Sequence, residues 1–220
     1  LPQPKNILSA PVPELQNVVS TFSLGMKNLD LRKIAMFDKV LEFNPQCFAA
    51  ATLRIKNPRT TALTFASGNV VCTGARNEHE SRYAARKYCR VFQALGLKVC
   101  FKKFKIQNIV ASVYVGFTIK LHELAIDYGV WANYEPDLFP GLILRSISPK
   151  LVYLIFRSGK IVITGAKTKE QIHSTYYKLF FNVILKYKDT TDNNISSSAY
   201  RHKIKKRALK SLTGEVVDEV

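Results

Sequence analysis

An internal duplication constrains this chain more than any other feature of its sequence. Five blocks of the first half recur in the second half at a constant spacing of 91 residues, as the pairs Asn17/Asn108 and Thr73/Thr164 illustrate. The recurring blocks of the first half begin at Leu15, Asn44, Leu53, Leu63 and Val71. Only two such units fit into 220 residues, which indicates a duplicated domain rather than a solenoid.

The two units predict the same order of secondary structure. A β-rich opening and a short helix come first, three strands follow, and a longer helix closes the unit. We place the openings at 14–24 and 105–117, the short helices at 28–38 and 119–128, and the three strands of the first unit at 47–55, 60–66 and 69–75. Gly68 and Gly159 provide hairpin turns. Asn77 with Glu80, and Thr168 with Gln171, predict capping boxes for the closing helices.

These patterns divide the chain into four expected segments. They are an N-terminal arm at 1–12, a first repeat at 13–104, a second repeat at 105–188 and a polar and basic tail at 189–220. Within the tail, the run from Arg201 to Lys210 contains six basic residues and no acid. Such a run predicts a nuclear-localisation signal or a non-specific DNA-binding arm, with a solvated tail as the alternative.

The charge balance indicates the class of partner. The chain carries 33 basic and 16 acidic side chains, a net charge of +17, which favours a polyanion such as nucleic acid or an anionic membrane. Its apolar runs fall well short of the ~20 residues that span a bilayer, and no signal peptide precedes the repeats, so we expect neither a membrane protein nor secretion.

The reactive side chains are not arranged for chemistry. The cysteines, at 47, 72, 89 and 100, lack CxxC spacing, and the four histidines do not cluster with them. We therefore expect reduced, structural thiols of an intracellular protein and no metal site. No Gly-rich phosphate loop or nucleophile–base signature is present, so we predict no enzymatic activity and no cofactor.

Both faces of the predicted sheet are apolar, which leaves two interpretations open. Side chains alternate between faces along a strand, so Asn17 and Val19 share one face while Val18 points to the other. In one interpretation, helices cover both faces and the duplicated residues are core. In the other, one face stays open for a ligand, because its Asn, Thr and Arg side chains mix unusually with Val, Leu and Phe.

Six blocks of the sequence resemble the TATA-binding protein family over about residues 12–190. They are LQNVVST (15–21), PRTTALTFASG (58–68), VCTGAR (71–76), SRYAARKY (81–88), FKIQNIV (104–110) and YEPDLFPGL (134–142). The resemblance implies an α+β fold, a pseudo-twofold saddle of two tandem repeats. One ten-stranded curved antiparallel sheet would carry four helices on its convex face.

The resemblance also implies roles for particular residues in binding DNA. Intercalating wedges would be Phe48, Phe65, Phe139 and Phe156. Minor-groove contacts would be Asn17, Val19, Leu63, Val71, Thr73, Asn108, Val110, Leu154, Val162 and Thr164. Phosphate contacts would be Arg54, Arg145 and Lys160. Amide donors among valines suit A·T pairs, whose minor groove exposes acceptors and lacks the guanine amino group. The family is itself a standard example of bending DNA by inserted apolar wedges.

The implied function is that of a general transcription initiation factor in the nucleus, which binds A·T-rich promoter DNA, bends it and nucleates preinitiation complex assembly. Its implied partners are double-stranded promoter DNA, a TFIIB-type factor including the polymerase III counterpart, TFIIA and TBP-associated factors. Residues implied to bind protein partners are Glu42 and Asn44 for TFIIA, and Glu135, Asp137 and Leu138 for the TFIIB-type factor.

The chain departs from the family pattern at several positions of the first repeat. Gln46 and Cys47 stand where two basic residues are usual, and Asn69 and Arg76 each replace a usual lysine. These changes predict a weaker phosphate grip in the first half, and they leave open a TATA-binding-protein-related paralogue with altered promoter or polymerase preference. Single-stranded nucleic-acid binding and a protein-interaction scaffold are alternatives of another class.

Overall fold

The computed structural model of the chain describes residues 10–37 and 41–190. The described residues up to Lys188 belong to one compact unit. The first nine residues of the predicted arm and the basic run Arg201–Lys210 lie outside the described residues.

Within the described ranges, ten strands form a single antiparallel sheet. They are β1 (Glu14–Ser23), β2 (Leu41–Glu42), β3 (Ala50–Lys56), β4 (Arg59–Phe65), β5 (Asn69–Ala75), β6 (Lys102–Tyr114), β7 (Ala132–Asn133), β8 (Gly141–Ser146), β9 (Leu151–Phe156) and β10 (Lys160–Ala166). Their order is β2-β3-β4-β5-β1-β6-β10-β9-β8-β7. The order reads equivalently from either edge, so the long pair β1–β6, with Val18 opposite Ile109, lies at the pseudo-twofold axis between the repeats.

The described residues also form four α-helices, and capping side chains define where the longer two begin. They are α1 (Leu31–Phe37), α2 (Glu78–Ala94), α3 (Leu121–Tyr128) and α4 (Lys169–Asn182), with 3-10 turns at Gly129–Trp131 and Ile184–Tyr187. Asn77 Oδ1 accepts from the Glu80 N–H at 2.7 Å, and Thr168 Oγ1 accepts from the Gln171 N–H at 3.3 Å. Both predicted helix starts are therefore confirmed. None of the helices described here has the length and apolarity that crossing a membrane requires.

Gly68 and Gly159 explain how each hairpin turn packs against the loop that follows the first strand of its repeat. Their φ angles are +80° and +86°. A Cβ on Gly68 would lie 1.8 Å from the Met26 carbonyl oxygen, and one on Gly159 would lie 2.2 Å from that of Phe117. Only glycine fits both the backbone conformation and this close approach.

Helices α2 and α4 bury one face of the sheet. Phe92 of α2 belongs to a cluster with Val70 and Cys72, and Phe180 of α4 to a second cluster with Ile161 and Ile163. Burial of side chains this large is the main favourable contribution to such a fold. Ten antiparallel strands with four helices confirm the predicted fold class.

The strand predicted at 47–55 in the first repeat begins later than the sequence indicated. We predicted a strand at 47–55, but β3 begins at Ala50, Cys47 lies in a turn and Phe48 follows that turn directly. Their N–H groups donate to the Asn44 carbonyl oxygen at 3.1 and 3.0 Å, and Asn44 Oδ1 accepts from the Gln46 N–H. This Asx-turn closes the backbone locally, which prevents strand pairing there. The sequence pattern also did not locate the edge strands β2 and β7, because two residues are too few to show an alternation.

Candidate nucleic-acid interface

One face of the sheet remains uncovered among the described residues. Val18, Cys72, Ile109 and Ile163 are fully buried, whereas their neighbours along each strand are half-exposed. Ten residues predicted to line the groove belong to the half-exposed set: Asn17, Val19, Leu63, Val71, Thr73, Asn108, Val110, Leu154, Val162 and Thr164. The structure therefore selects the interpretation in which helices cover one face only.

Pairing across strands brings these residues together as one surface. Asn17 lies opposite Val110 and Val19 opposite Asn108, on either side of the pseudo-twofold axis. Farther out, Leu63 lies opposite Val71 and Leu154 opposite Val162. We name this surface the open face. Its floor is apolar, with an amide group near the axis in each repeat.

The two asparagines have a defined orientation. Asn17 Oδ1 accepts from the Gly74 backbone N–H at 2.8 Å, and Asn108 Oδ1 accepts from the Gly165 N–H at the same distance. A backbone N–H can only donate, so it identifies the carbonyl oxygen of each amide. The Nδ2 atoms lie 3.3 and 3.1 Å from the hydroxyls of Thr73 and Thr164. Each asparagine oxygen is thus held against the backbone, and the open face presents N–H donors.

The residue whose backbone N–H donates to each asparagine has to be a glycine. Gly74 and Gly165 both have a φ of +98°. A Cβ at either position would lie 3.1 or 3.0 Å from a backbone carbonyl oxygen, that of Arg59 or Lys150. The left-handed conformation directs the glycine N–H toward the asparagine, and a side chain there would disturb it.

Two pairs of phenylalanine rings lie at equivalent places in the two repeats. Phe48 and Phe65 have ring centroids 6.4 Å apart, and Phe139 and Phe156 have centroids 5.8 Å apart, each pair edge to face. Phe65 and Phe156 are the last residues of β4 and β9, while Phe48 and Phe139 follow the turns before β3 and β8. Phe48 is 51% exposed. Gly141 makes room for the second pair, because a Cβ there would lie 2.8 Å from Phe139 and 3.0 Å from Phe156.

The predicted phosphate-binding cations are exposed, but the two repeats differ in whether an acidic side chain pairs with them. Arg54 Nη1 lies 2.5 Å from Glu42 Oε2 on the neighbouring strand. Arg145 is the equivalent of Arg54, and the residue equivalent to Glu42 is Asn133. Within the described ranges, neither Arg145 nor Lys160 forms an ion pair with an acid. Of the three predicted phosphate contacts, Arg54 is therefore the one that is paired with an acid among the described residues.

Several residues of the open face were missed in the sequence analysis. Thr52 lies opposite Leu63, and Ile143 lies opposite Leu154. Thr61 and Val152 lie opposite Thr73 and Thr164. Each of the four lies two positions before a residue that was predicted, namely Arg54, Leu63, Arg145 or Leu154. The alternation of side chains along a strand would therefore have identified them.

The residues predicted to bind protein partners lie at the two ends of the sheet. Glu135, Asp137 and Leu138 belong to an exposed turn closed by N–H groups of Leu138 and Phe139 donating to the Glu135 carbonyl at 3.0 and 2.9 Å. Glu42 and Asn44 occupy the equivalent end of the first repeat, where Glu42 contacts Arg54.

The titratable groups on the helix-covered side are arranged for packing. Burial raises the pKa of the Cys72 thiol to about 11 and that of the Tyr88 phenol to about 12. A thiol with so high a pKa stays protonated at neutral pH and is a poor nucleophile. All four cysteines are free thiols, and the described residues contain no group of three His, Cys, Asp or Glu that could hold a metal ion.

Comparison with known proteins places this architecture in one family. The model of the family described as transcription factor TFIID (or TATA-binding protein, TBP) matches residues 12–95 and 103–187. The chain is 56% identical over 169 residues to TATA box-binding protein-like 2 of Rattus norvegicus, covering 77% of this chain and 49% of that protein. It is 54% identical over 179 residues to the TATA-box-binding protein of Acanthamoeba castellanii, covering 81% and 69%.

Among solved structures, the Methanococcus jannaschii TBP matches with a TM-score of 0.71 and 36% identity, over 80% of this chain and 99% of that one. The chain spans about half the length of the rat relative. Both repeats match the family model, and the fold is that of the saddle, so the chain belongs to the TATA-binding protein family.

Proposed function

We propose that this chain is a general transcription initiation factor that binds A·T-rich promoter DNA through the minor groove, bends it and nucleates preinitiation complex assembly in the nucleus. The family comprises DNA-binding transcription factors and not enzymes. The observation that carries the proposal is the presentation of amide donors by Asn17 and Asn108 at the centre of an uncovered apolar face.

The open face suits a minor groove with A·T pairs. Such a groove displays the N3 and O2 acceptors of the bases, which the asparagine Nδ2 groups can meet as donors. A G·C pair adds an amino group that would compete for this space and would approach the valine floor. Because A·T and T·A display similar acceptors, we expect preference for A·T content with little discrimination of strand.

The phenylalanine pairs supply the means of bending. One pair of rings lies at each end of the apolar floor, Phe48 with Phe65 and Phe139 with Phe156. The rings are exposed enough to enter a base step. Unstacking a step costs a few kcal/mol, which the wider contact with bent DNA offsets. We therefore assign these four rings as wedges.

Unequal pairing of the predicted phosphate contacts favours a second candidate, a related paralogue with altered promoter preference. Arg54 is paired with Glu42, whereas Arg145 and Lys160 have no acidic partner among the described residues. Gln46 and Cys47 add no charge near the first wedge. We infer a weaker phosphate grip by the first repeat, which would shift the preferred sequence at that end.

We further propose that both ends of the sheet receive protein partners. Glu135, Asp137 and Leu138 would bind a TFIIB-type factor or its polymerase III counterpart, and Glu42 with Asn44 would bind TFIIA. TBP-associated factors would join the same assembly. These side chains are exposed, and they lie in or near the turns that precede Phe48 and Phe139. This supports the assignment, because a partner bound there would lie next to the bent DNA.

A base-analogue substitution tests the proposal. Inosine·cytosine pairs present the minor groove of A·T pairs but retain the major groove of G·C pairs. We expect an A·T site and its inosine·cytosine version to bind with similar affinity at fixed salt, and the G·C version to bind at least about tenfold more weakly. Equal binding to all three duplexes would contradict minor-groove readout.

A strand-competition assay separates the proposal from single-stranded binding and from a protein scaffold. Unlabelled duplex should displace a labelled A·T duplex, whereas the same sequence as a single strand should not. Preferential displacement by the single strand would indicate a base-stacking surface. Absence of any DNA binding would indicate a scaffold.

A further inference from the structure

The open face is chemically asymmetric, although its two halves have the same architecture. Its wedges, asparagines, valines and leucines all recur at the 91-residue spacing. Two floor positions beside the leucines change in polarity between the repeats. Thr52 of β3 corresponds to Ile143 of β8, and Thr61 of β4 corresponds to Val152 of β9. The first-repeat half therefore carries two hydroxyl groups where the second-repeat half carries hydrocarbon.

The sheet holds these two threonines close together on the open face. Thr52 lies opposite Leu63, which is two residues before the wedge Phe65. Arg54 lies opposite Thr61, so Thr52 and Thr61 are diagonal neighbours on one face. Both are half-buried, as are their counterparts in the second repeat. The two halves thus differ here in chemistry and not in exposure.

Neither threonine hydroxyl is engaged by the described part of the chain. No hydrogen bond there involves the side chain of Thr52 or Thr61. The hydroxyl of Thr73, which lies opposite Thr61, is by contrast 3.3 Å from Asn17 Nδ2. A duplex seated on the open face would exclude water, so each free hydroxyl would then need a partner on the DNA.

A threonine hydroxyl can meet either kind of base pair in the minor groove, whereas a hydrocarbon suits only one. The hydroxyl can donate to N3 or O2 of an A·T pair, and it can accept from the 2-amino group of guanine. Isoleucine or valine at the same place would cover that amino group without offering an acceptor. An unpaired buried donor is unfavourable, so the second-repeat half should reject a G·C pair.

We propose that Thr52 and Thr61 let the first-repeat half of the open face accept a G·C pair that the second-repeat half rejects. This role depends on the proposed minor-groove binding and adds to it the residues that distinguish one half of a site from the other. Thr52 contributes most near the end step, because it lies beside the wedge end of the floor.

This difference sets the direction in which the protein lies on an asymmetric site. A self-complementary A·T site is the same in both directions, so both are equally populated by symmetry. One G·C pair in one half removes that symmetry, and the first repeat should then lie over the half that contains it. We expect the two directions to differ about threefold or more in population, the effect of one hydrogen bond.

The chain contains its own reporter of direction. Trp131 is its one tryptophan, and it directly precedes β7, the edge strand at the second-repeat end of the sheet. Energy transfer from Trp131 to an acceptor dye, placed on one end of a short duplex and then on the other, shows which end the second repeat occupies. The G·C pair is moved in turn through each position of one half of the A·T site.

The wild-type protein should transfer energy more strongly to the duplex end remote from the G·C pair. Replacing guanine with inosine removes the 2-amino group and should abolish this bias. Exchanging the counterparts in one protein should reverse the direction, and the four substitutions are Thr52→Ile, Ile143→Thr, Thr61→Val and Val152→Thr. The comparison of guanine with inosine uses only the wild-type protein, so it tests the role even if the exchanged protein does not fold.

Three results would contradict this role of the threonines. One is equal transfer to both ends at every position of the G·C pair, and another is a bias that persists with inosine. The third is an unreversed direction in a folded exchanged protein. In each case, binding to the A·T duplex would still support the proposed function, whereas a wild-type protein that binds none of these duplexes would refute the proposed function itself.

Discussion

Glu42 and Arg54 form an exposed ion pair between neighbouring strands, with Glu42 Oε2 2.5 Å from Arg54 Nη1. Thr52 and Arg54 are on the same face of β3, and Thr52 pairs with both Glu42 and Leu63. The carboxylate therefore lies beside a cation that we assign to phosphate binding. In the second repeat the corresponding pair is Asn133 and Arg145, which cannot form an ion pair.

Removing this carboxylate should strengthen DNA binding. We expect Glu42→Gln to increase affinity about two- to fivefold at low salt, because Arg54 is released and a charge that repels phosphates is lost. The matched variant Asn133→Glu should weaken affinity by a similar factor. Fluorescence anisotropy over a range of salt concentrations measures both, and equal affinities of the three proteins would refute the role of Arg54.

Loss of a wedge should affect bending far more than folding. Phe48 is 51% exposed, so Phe48→Ala should cost less than about 1 kcal/mol of unfolding free energy and should reduce the DNA bend markedly. The control Phe92→Ala removes a fully buried ring and should cost about 3–5 kcal/mol. Chemical denaturation gives the stabilities, and fluorescence energy transfer on end-labelled A·T duplexes gives the bend. A Phe48→Ala protein that bends DNA as wild type does would contradict the assignment.

Replacing an outward-facing donor with an acceptor should weaken groove recognition while preserving the fold. Asn17→Asp keeps the oxygen that accepts from Gly74, but turns the donor toward the groove into a negative acceptor. We expect affinity for an A·T duplex to fall about 10- to 100-fold. Asn182→Asp introduces the same charge at the exposed end of α4 and should change affinity little. Equal losses for both variants would mean that net charge, and not the donor, matters.

Reversing an acidic charge at the second-repeat end should separate partner binding from DNA binding. Glu135→Arg should abolish the ternary complex with a TFIIB-type factor and leave the binary DNA complex nearly unchanged. Glu170→Arg reverses an exposed charge at the start of α4 and serves as the control. Native gel shifts with and without the factor read both complexes. Normal ternary assembly by the Glu135→Arg protein would rule out this docking site.

The free energy of unfolding should fall at alkaline pH, because the Tyr88 phenol and the Cys72 thiol are buried in their protonated forms. Burial raises the pKa of Tyr88 from 10.0 to about 12, and the pKa of Cys72 is raised to about 11. The folded state holds these two protons more tightly than the unfolded state does. Their contribution to the free energy of unfolding is therefore complete below the pKa values of the unfolded chain, and it is lost as pH rises through the pKa values of the folded protein. Tyr88→Phe should lose the 2.9 Å hydrogen bond to Thr60 but show a shallower decline between pH 10 and 12. Urea denaturation across this range checks the slope, and identical slopes would exclude Tyr88 as a contributor.

The amino-acid sequence by itself determined the duplication, the class of fold and most element positions. A constant 91-residue spacing needs no structure to be seen. Asn77 and Thr168 marked the starts of α2 and α4 because capping depends on residues only three positions apart. The resemblance then indicated the four wedges and the groove residues as candidates.

Tertiary structure decided what depends on distant neighbours. Val18 and Val19 are equally apolar, and only the packing of the helices shows that Val18 is buried while Val19 faces the opening. The orientation of Asn17 depends on Gly74, 57 residues away. The Glu42–Arg54 pair likewise arises where segments meet in space, because local patterns carry no information about which charges the fold brings together.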